Sequence, residues 1–190
     1  MSSPFGIEVP FAIEDLDVHR LDDAPPGGFD CGAEEQNGFL YERAWPDAAR
    51  GISVTHLLCK KGILAAYLTL MADRIQLGPR EKPRGVAYRL IPAVKIAQLG
   101  VDRRFAGQGL GRFVVACGIE TARTFRRSVG CRYVTLDART EALAGWYERQ
   151  GFVRNRLEQT MRVREAAERG REPDRVPISM RFDLRDAREG

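Results

Sequence analysis

One short run limits the folds open to this chain more than any other: Gly107-Gln108-Gly109-Leu110-Gly111, set between an apolar stretch and an amphipathic stretch of helical period. A strand that feeds a helix needs one glycine for the turn, or two. Three at alternate positions leave N–H groups unshielded by side chains, just ahead of a helix N-terminus with its partial positive charge. Such a turn is built to cradle a diphosphate. Spacing excludes two other diphosphate loops. A nucleoside-triphosphate loop needs G-x-x-x-x-G-K-[ST], which is absent. A dinucleotide fingerprint needs glycine where Arg112 stands and an acidic residue about 20 positions on, where none occurs near Arg127.

Around that turn the chain reads as a mixed α/β protein of one domain. Pro25-Pro26-Gly27-Gly28 closes an N-terminal lead over 1–28, and Asp30 is placed to cap a helix begun by Ala33, Glu34 and Glu35. Phe39, Leu40 and Ala44 give that helix an apolar side. Ser53 to Cys59 and Ile63 to Met71 read as a β-hairpin about Lys60-Lys61-Gly62. Asp73 to Leu90 reads as a long loop holding Arg74, Arg80, Lys82, Arg84 and Arg89, with Glu81 as its acid after Asp73. Ala93 to Val101 is predicted as a strand and Arg112 to Arg127 as a helix, with Val114, Val115, Gly118, Ile119, Ala122 and Phe125 on its apolar side. Cys131 to Leu136 follows as a strand, Glu141 to Gln150 as a helix ended by Gly151, and Phe152 starts a strand. The charged insert 158–175 is open to a helix, an oligomer contact or a loop, and Pro177 to Leu184 is the closing strand. The expectation is one domain over 29–185 with a short tail at 186–190: a mixed, mostly antiparallel central sheet flanked by helices.

Composition serves to exclude. With 190 residues, 44% hydrophobic and 29% charged, the chain can bury a core of ordinary size and does not have the make-up of a disordered tail. No stretch approaches the roughly 18 apolar residues of a membrane helix, and Met1 to Pro10 lacks the basic-then-apolar form of an export signal, so the cytoplasm is the expected location. Of the 30 basic residues only Lys60, Lys61, Lys82 and Lys95 are lysines, against 26 acids and a net charge of +4. A GC-rich genome produces that arginine skew with no nucleic-acid partner. Cys31, Cys59, Cys117 and Cys131 stand far apart with no C-x-x-C, and His19 and His56 are the only imidazoles, so neither a metal site nor a disulfide framework is expected.

A second element lies downstream: Trp146-Tyr147-Glu148-Arg149-Gln150-Gly151-Phe152, at the end of a helix and the start of a strand. In this order the two elements resemble the GCN5-related N-acetyltransferase family. Its acetyl-coenzyme A motif, Q/R-x-x-G-x-G/A, follows a strand, and a later helix ends in aromatic-Tyr-x-x-x-Gly-Phe. The resemblance is strong from Ile96 to Phe152 and looser from Phe29 to Leu184. It implies a GNAT-like fold, acetyl-CoA as cosubstrate and direct acetyl transfer to a primary amine. It also implies roles for residues. Gly109 and Gly111 match the small positions beside Gly107, Gln108 and Arg112 would offer N–H groups to the phosphates, and Leu99 and Val101 would pair through their main chain with the pantetheine amides. Tyr147 would be the general acid toward the departing thiolate, with Trp146 and Phe152 as packing. Ala106 stands at the Q/R position, so coenzyme affinity would lean on Arg103, Arg104 or Arg112. No carboxylate occurs from Lys95 to Val101, where many members place a Glu, and Asp137 and Glu141 are candidates for the base. Without a base, an α-amine with a pKa of about 7.7 to 8.0 is an easier acceptor than a lysine near 10.4.

A narrower likeness is to the toxin branch of that family, carried by Phe29-Asp30-Cys31-Gly32, the basic loop, Ile91 to Asp102 and the closing strand. It implies acetylation of the α-amine of aminoacyl-tRNA in place of a small-molecule amine, an antitoxin as partner, and Arg80, Lys82, Arg84 and Arg89 gripping tRNA phosphates. A homodimer is common in the family. The rival reading is a coenzyme A-binding module without turnover, favoured by Ala106 and the unidentified base and opposed by Tyr147.

Overall fold

A computed structural model describes residues 16–185; the expected tail at 186–190 and the first part of the lead lie outside the described residues. In chain order the elements are β1 (Leu16–Arg20), α1 (Glu34–Gly38), a π-helical turn (Phe39–Arg43), α2 (Ala44–Ala49), β2 (Val54–Lys60), β3 (Ile63–Gln76) and β4 (Leu90–Val101). A 3₁₀ turn (Arg103–Phe105), α3 (Leu110–Arg126), β5 (Tyr133–Ala138), α4 (Glu141–Glu148), β6 (Val153–Arg154), α5 (Arg156–Glu168), a second 3₁₀ turn (Pro173–Arg175) and β7 (Ile178–Asp183) follow. The strands form one seven-stranded sheet in the order β1-β2-β3-β4-β5-β7-β6. The pairings β1–β2, β2–β3, β5–β7 and β6–β7 are antiparallel, which is the mostly antiparallel α/β arrangement the sequence predicts. The residues group into two compact units, 16–71 with Ile96–Thr121 and Ala72–Lys95 with 122–185.

In the first unit the β2–β3 hairpin is set by its turn. Lys61 (φ 49°) and Gly62 (φ 78°) are both left-handed, as a two-residue type I′ connection requires. Strand β1 pairs with β2 and falls inside the segment expected as a lead; it is short, and four of its five residues are exposed. Leu21, Phe29, Leu40, Leu57, Leu64 and Tyr67 make a core cluster. The Tyr67 ring meets Phe29 edge-on at 5.5 Å, and its hydroxyl donates to the Gln36 carbonyl at 2.9 Å. A Cβ at Gly100 would stand 2.6 Å from Tyr67 Cε1 and 3.0 Å from Phe29 Cζ, so β4 passes this cluster too closely for any side chain. Asp30 does not cap a helix. The N-cap of α1 is Ala33, with no side-chain bond, and Asp30 Oδ1 instead accepts from the Gly32 N–H (2.8 Å) and Asn37 Nδ2 (2.8 Å) in a local turn. Along α3, Val114, Val115, Ile119 and Ala122 are buried as predicted, joined by Leu110, Phe113 and Cys117, whereas Phe125 is 45% exposed and leaves the apolar stripe.

In the second unit Ile75, Leu77, Ile91, Ala93 and Tyr133 share a core. Strand β3 runs on to Gln76 and β4 begins at Leu90, so the loop predicted from Asp73 shrinks to 77–89. Asp73 lies within β3 and accepts from Thr135 Oγ1 at 2.5 Å. The charged insert is helical, made of α5 and the second 3₁₀ turn. Asn155 gives α5 no side-chain cap. A residue far away in sequence supplies it: the Glu81 carboxylate accepts from the N–H groups of Arg156 (2.8 Å) and Leu157 (3.1 Å).

Candidate functional site

The approach to the glycine turn, in the first unit, is tied down by one buried acid. Asp102 Oδ1 accepts from the Arg104 N–H (2.9 Å) and Nε (2.7 Å), while Oδ2 accepts from Arg104 Nη2 (2.8 Å) and the Asp30 N–H (3.0 Å). The Arg104 hydrogen bonds outweigh burial and hold the Asp102 carboxyl down to about 2. Arg103 pairs with Asp30 at 3.3 Å, its guanidinium lying where a Cβ on Gly32 would stand. Arg103 and Arg104, expected as phosphate-binding cations, are therefore engaged by carboxylates. The Arg112 side chain is exposed and its guanidinium has no partner among the described residues.

Gly107 (φ 74°) and Gly109 (φ 83°) hold the left-handed backbone that only glycine takes without strain, and Leu110 opens α3. Among the described residues, the N–H groups of Gly107, Gln108, Gly109, Leu110 and Gly111 meet no acceptor within the chain. Five consecutive donors at the start of a seventeen-residue helix are what a diphosphate needs. The Arg112 N–H is not among them: it donates to the Gly109 carbonyl at 3.1 Å, as the Phe113 N–H does at 3.3 Å. Arg112 thus contributes its guanidinium and not its amide. Gln108 turns its side chain onto the Arg104 carbonyl (3.2 Å) and leaves its N–H uncovered. Leu99 and Val101 stand on β4 of the same unit, both half-buried.

Tyr147 stands in the second unit, and its motif has a physical origin. The Phe152 N–H donates to the Tyr147 carbonyl (3.2 Å) and the Gly151 N–H to the Glu148 carbonyl (3.0 Å), with Gly151 left-handed at φ 90°. This is a Schellman termination of α4, in which glycine supplies the left-handed residue and the following apolar side chain packs back on the helix. Phe152 does so, its ring 5.6 Å from that of Tyr147, while Trp146 meets Tyr147 on another side at 4.9 Å. The spacing Tyr-x-x-x-Gly-Phe is thus a helix stop that fixes one tyrosine. The Tyr147 hydroxyl makes no hydrogen bond among the described residues, and burial pushes its pKa above the usual value, so it stays protonated at neutral pH.

Neither carboxylate considered as a base is uncommitted. Asp137 accepts from Lys95 Nζ at 2.6 Å and Arg162 Nη1 at 2.5 Å. Glu141 receives Arg154 at both oxygens, 3.1 and 2.8 Å. Protonating either would weaken charge-assisted hydrogen bonds to these cations. Cys59, Cys117 and Cys131 are buried, and burial pushes the Cys117 thiol up to about 12. Among the described residues no group of three or more His, Cys, Asp or Glu could hold a metal ion, and no helix is long and apolar enough to cross a membrane.

No protein-family model matches the chain. Solved structures do. AtaT complexed with acetyl-methionyl-tRNAfMet is 27% identical, with a TM-score of 0.68 over 73% of this chain and 87% of that one. A tyrosine-to-phenylalanine mutant of the AtaT toxin, bound to the C-terminus of the antitoxin AtaR, is 24% identical with a TM-score of 0.67 over 90% and 94%. A tyrosine-to-phenylalanine mutant of KacT is 20% identical with a TM-score of 0.70 over 90% and 95%. The chain shares the fold of these solved structures, and its motifs at 107–111 and 146–152 resemble those of the GCN5-related N-acetyltransferases.

Proposed function

We propose that this chain is an acetyl-CoA-dependent N-acetyltransferase whose acceptor is the α-amine of an aminoacyl-tRNA. The observation that carries the reading is the row of five uncovered N–H groups at 107–111, a donor set suited to the coenzyme's diphosphate. Acetyl-CoA supplies a thioester carbonyl. The N–H groups and Arg112 hold the diphosphate, the peptide groups of Leu99 and Val101 pair with the pantetheine amides, and Tyr147 gives its hydroxyl proton to the leaving sulfur. The amine nitrogen bonds to the carbonyl carbon as the C–S bond breaks. The nitrogen's surplus proton leaves through water, and solvent reprotonates Tyr147. From ordinary pKa values of about 10 for the phenol and about 8.5 for the thiol, full transfer is uphill by about 2 kcal/mol. Burial of Tyr147 adds to that cost, so the proton moves together with C–S cleavage and not after it.

Two observations support the tRNA acceptor. The likeness to AtaT, captured with an acetylated methionyl-tRNA, is one. The commitment of Asp137 and Glu141 to cations is the other, since it favours an amine that is largely neutral near pH 7.5 without help. AtaT has been seen with its antitoxin, and an antitoxin is a proposed partner here too. A coenzyme-binding module without turnover would have no use for a protonated, uncommitted Tyr147 hydroxyl.

Induced expression of the intact chain in a bacterial host is expected to halt incorporation of labelled amino acid within minutes, and expression of Tyr147→Phe is expected to leave it running. Undiminished incorporation and normal growth at high expression of the intact chain would remove aminoacyl-tRNA and leave an amine of another kind.

A further inference from the structure

We infer that Arg154 is a positioning residue for acetyl transfer: its guanidinium ties both ends of α4 to the sheet and so fixes the aim of the Tyr147 hydroxyl. This rests on the proposed role of Tyr147 as the acid and adds to it the side chain that keeps that acid in place.

Helix α4 needs a hold from outside. It has eight residues, a length at which a helix is unstable by itself. Ala144 is its one buried residue, while Trp146 and Tyr147 are half-buried. The Thr140 hydroxyl accepts from the Leu143 N–H at 3.2 Å at one end, and the Gly151-Phe152 stop closes the other. These devices set where the helix begins and ends. The Tyr147 hydroxyl makes no hydrogen bond of its own among the described residues, so its aim follows from ring packing and from where α4 lies.

Arg154 supplies the hold. Its Nη1 and Nη2 donate to Glu141 Oε1 (3.1 Å) and Oε2 (2.8 Å), a two-pronged pair on the first residue of α4. Its Nε donates to Glu148 Oε1 (2.8 Å) on the last. One guanidinium thus spends all three nitrogens on two carboxylates about two helical turns apart. A lone surface ion pair holds little, but a bidentate pair joined to a second carboxylate is the geometry in which such contacts do hold. The placing of the acids agrees. Glu141 in the first turn suits the helix dipole, whereas Glu148 in the last turn meets the partial negative charge of the C-terminus. Arg154 turns that ill-placed charge into a tie, and Glu148 directly follows Tyr147.

The base of the tie is firm. Arg154 lies in β6 opposite Met180 of β7, which is fully buried. Its carbonyl accepts from Arg181 Nη1 at 3.1 Å, and the N–H of the next residue, the fully buried Asn155, donates to the Ser179 carbonyl at 2.9 Å. Arg154 is therefore an arm on a fixed strand, and α4 is what it holds.

The test uses the full-length chain. Steady-state kinetics, with charged tRNA or the free amine that the parent acetylates, run beside calorimetric coenzyme binding. Acrylamide quenching of Trp146 is measured in a Trp45→Phe background, which leaves Trp146 as the one indole. Arg154→Gln is expected to lower kcat about tenfold while coenzyme affinity and the acceptor KM stay within about twofold. Trp146, whose ring lies 4.9 Å from that of Tyr147, is expected to become about twice as quenchable as α4 loosens. Glu148→Gln, which keeps the fork on Glu141, is expected to lower kcat about threefold and carries the test if Arg154→Gln fails to fold. Parental kcat in the folded variants, or a loss of kcat with parental quenching of Trp146, overturns the positioning role and leaves the acetyltransferase reading standing. Coenzyme affinity that falls in step with kcat makes Arg154 a general brace of the fold and overturns it too. A parent that binds coenzyme but moves no acetyl group to charged tRNA or to free amines overturns the proposed function, and the positioning role with it.

Discussion

Tyr147→Phe is expected to slow acetyl transfer at least about 100-fold while coenzyme affinity stays within about twofold of the parent, the range in which a positioned general acid acts. Only the hydroxyl is removed. The Schellman stop that fixes residue 147 uses its carbonyl, the Gly151 turn and the ring contact to Phe152, all of which phenylalanine keeps. Steady-state kcat together with calorimetric coenzyme binding separates the two effects, and equal turnover would place the acid elsewhere. The same residue predicts a pH profile. Burial raises the Tyr147 pKa, so the protonated form the reaction needs is present at every pH below that raised value and is lost only above it. No alkaline fall in kcat from this group is expected below about pH 10. A fall centred near pH 8 would assign proton transfer to a different residue.

Gly109→Val is expected to weaken coenzyme binding at least about 100-fold. Two costs combine. The left-handed backbone at φ 83° is hostile to a β-branched residue, with strain of about 1–3 kcal/mol. The branched side chain also shields the N–H groups beside it, each worth about 1.5–3 kcal/mol toward a charged oxygen. Thermal melts distinguish a strained but folded variant from an unfolded one, since the Gly109 turn lies at the surface end of α3 and not in its buried middle. A folded variant with parental coenzyme affinity would show that these amides do not hold the diphosphate.

What could be read from the sequence was local. The cradle and the helix stop are each complete within a few residues, because a left-handed glycine, an uncovered N–H and a returning aromatic ring are properties of consecutive positions. The hairpin turn at Lys61-Gly62 was legible for the same reason. What escaped depends on partners distant in sequence. Asp102 draws Arg104 away from the phosphate role, and nothing in the run Val101-Asp102-Arg103-Arg104 says which charge is spent on which. Asp30 has the form of an N-cap, but its oxygens go to Gly32 and Asn37. Glu81 reads as one acid in a basic loop, yet it caps a helix more than seventy residues away. Strand β1 escaped because it is only five residues long and mostly exposed, Val18 included, so its pairing with β2 is what marks it. Asp137 and Glu141 read as open candidates for a base until Lys95, Arg162 and Arg154 are seen to hold them.

Acetyl transfer itself is tested most directly by incubating the purified chain with charged tRNA and acetyl-CoA that carries a radiolabelled acetyl group. The expected result is label recovered as N-acetyl amino acid after the ester is hydrolysed, with none from uncharged tRNA and none from Tyr147→Phe. Label that stays wholly in acetyl-CoA at saturating coenzyme, with charged tRNA and with free primary amines alike, would contradict the assignment.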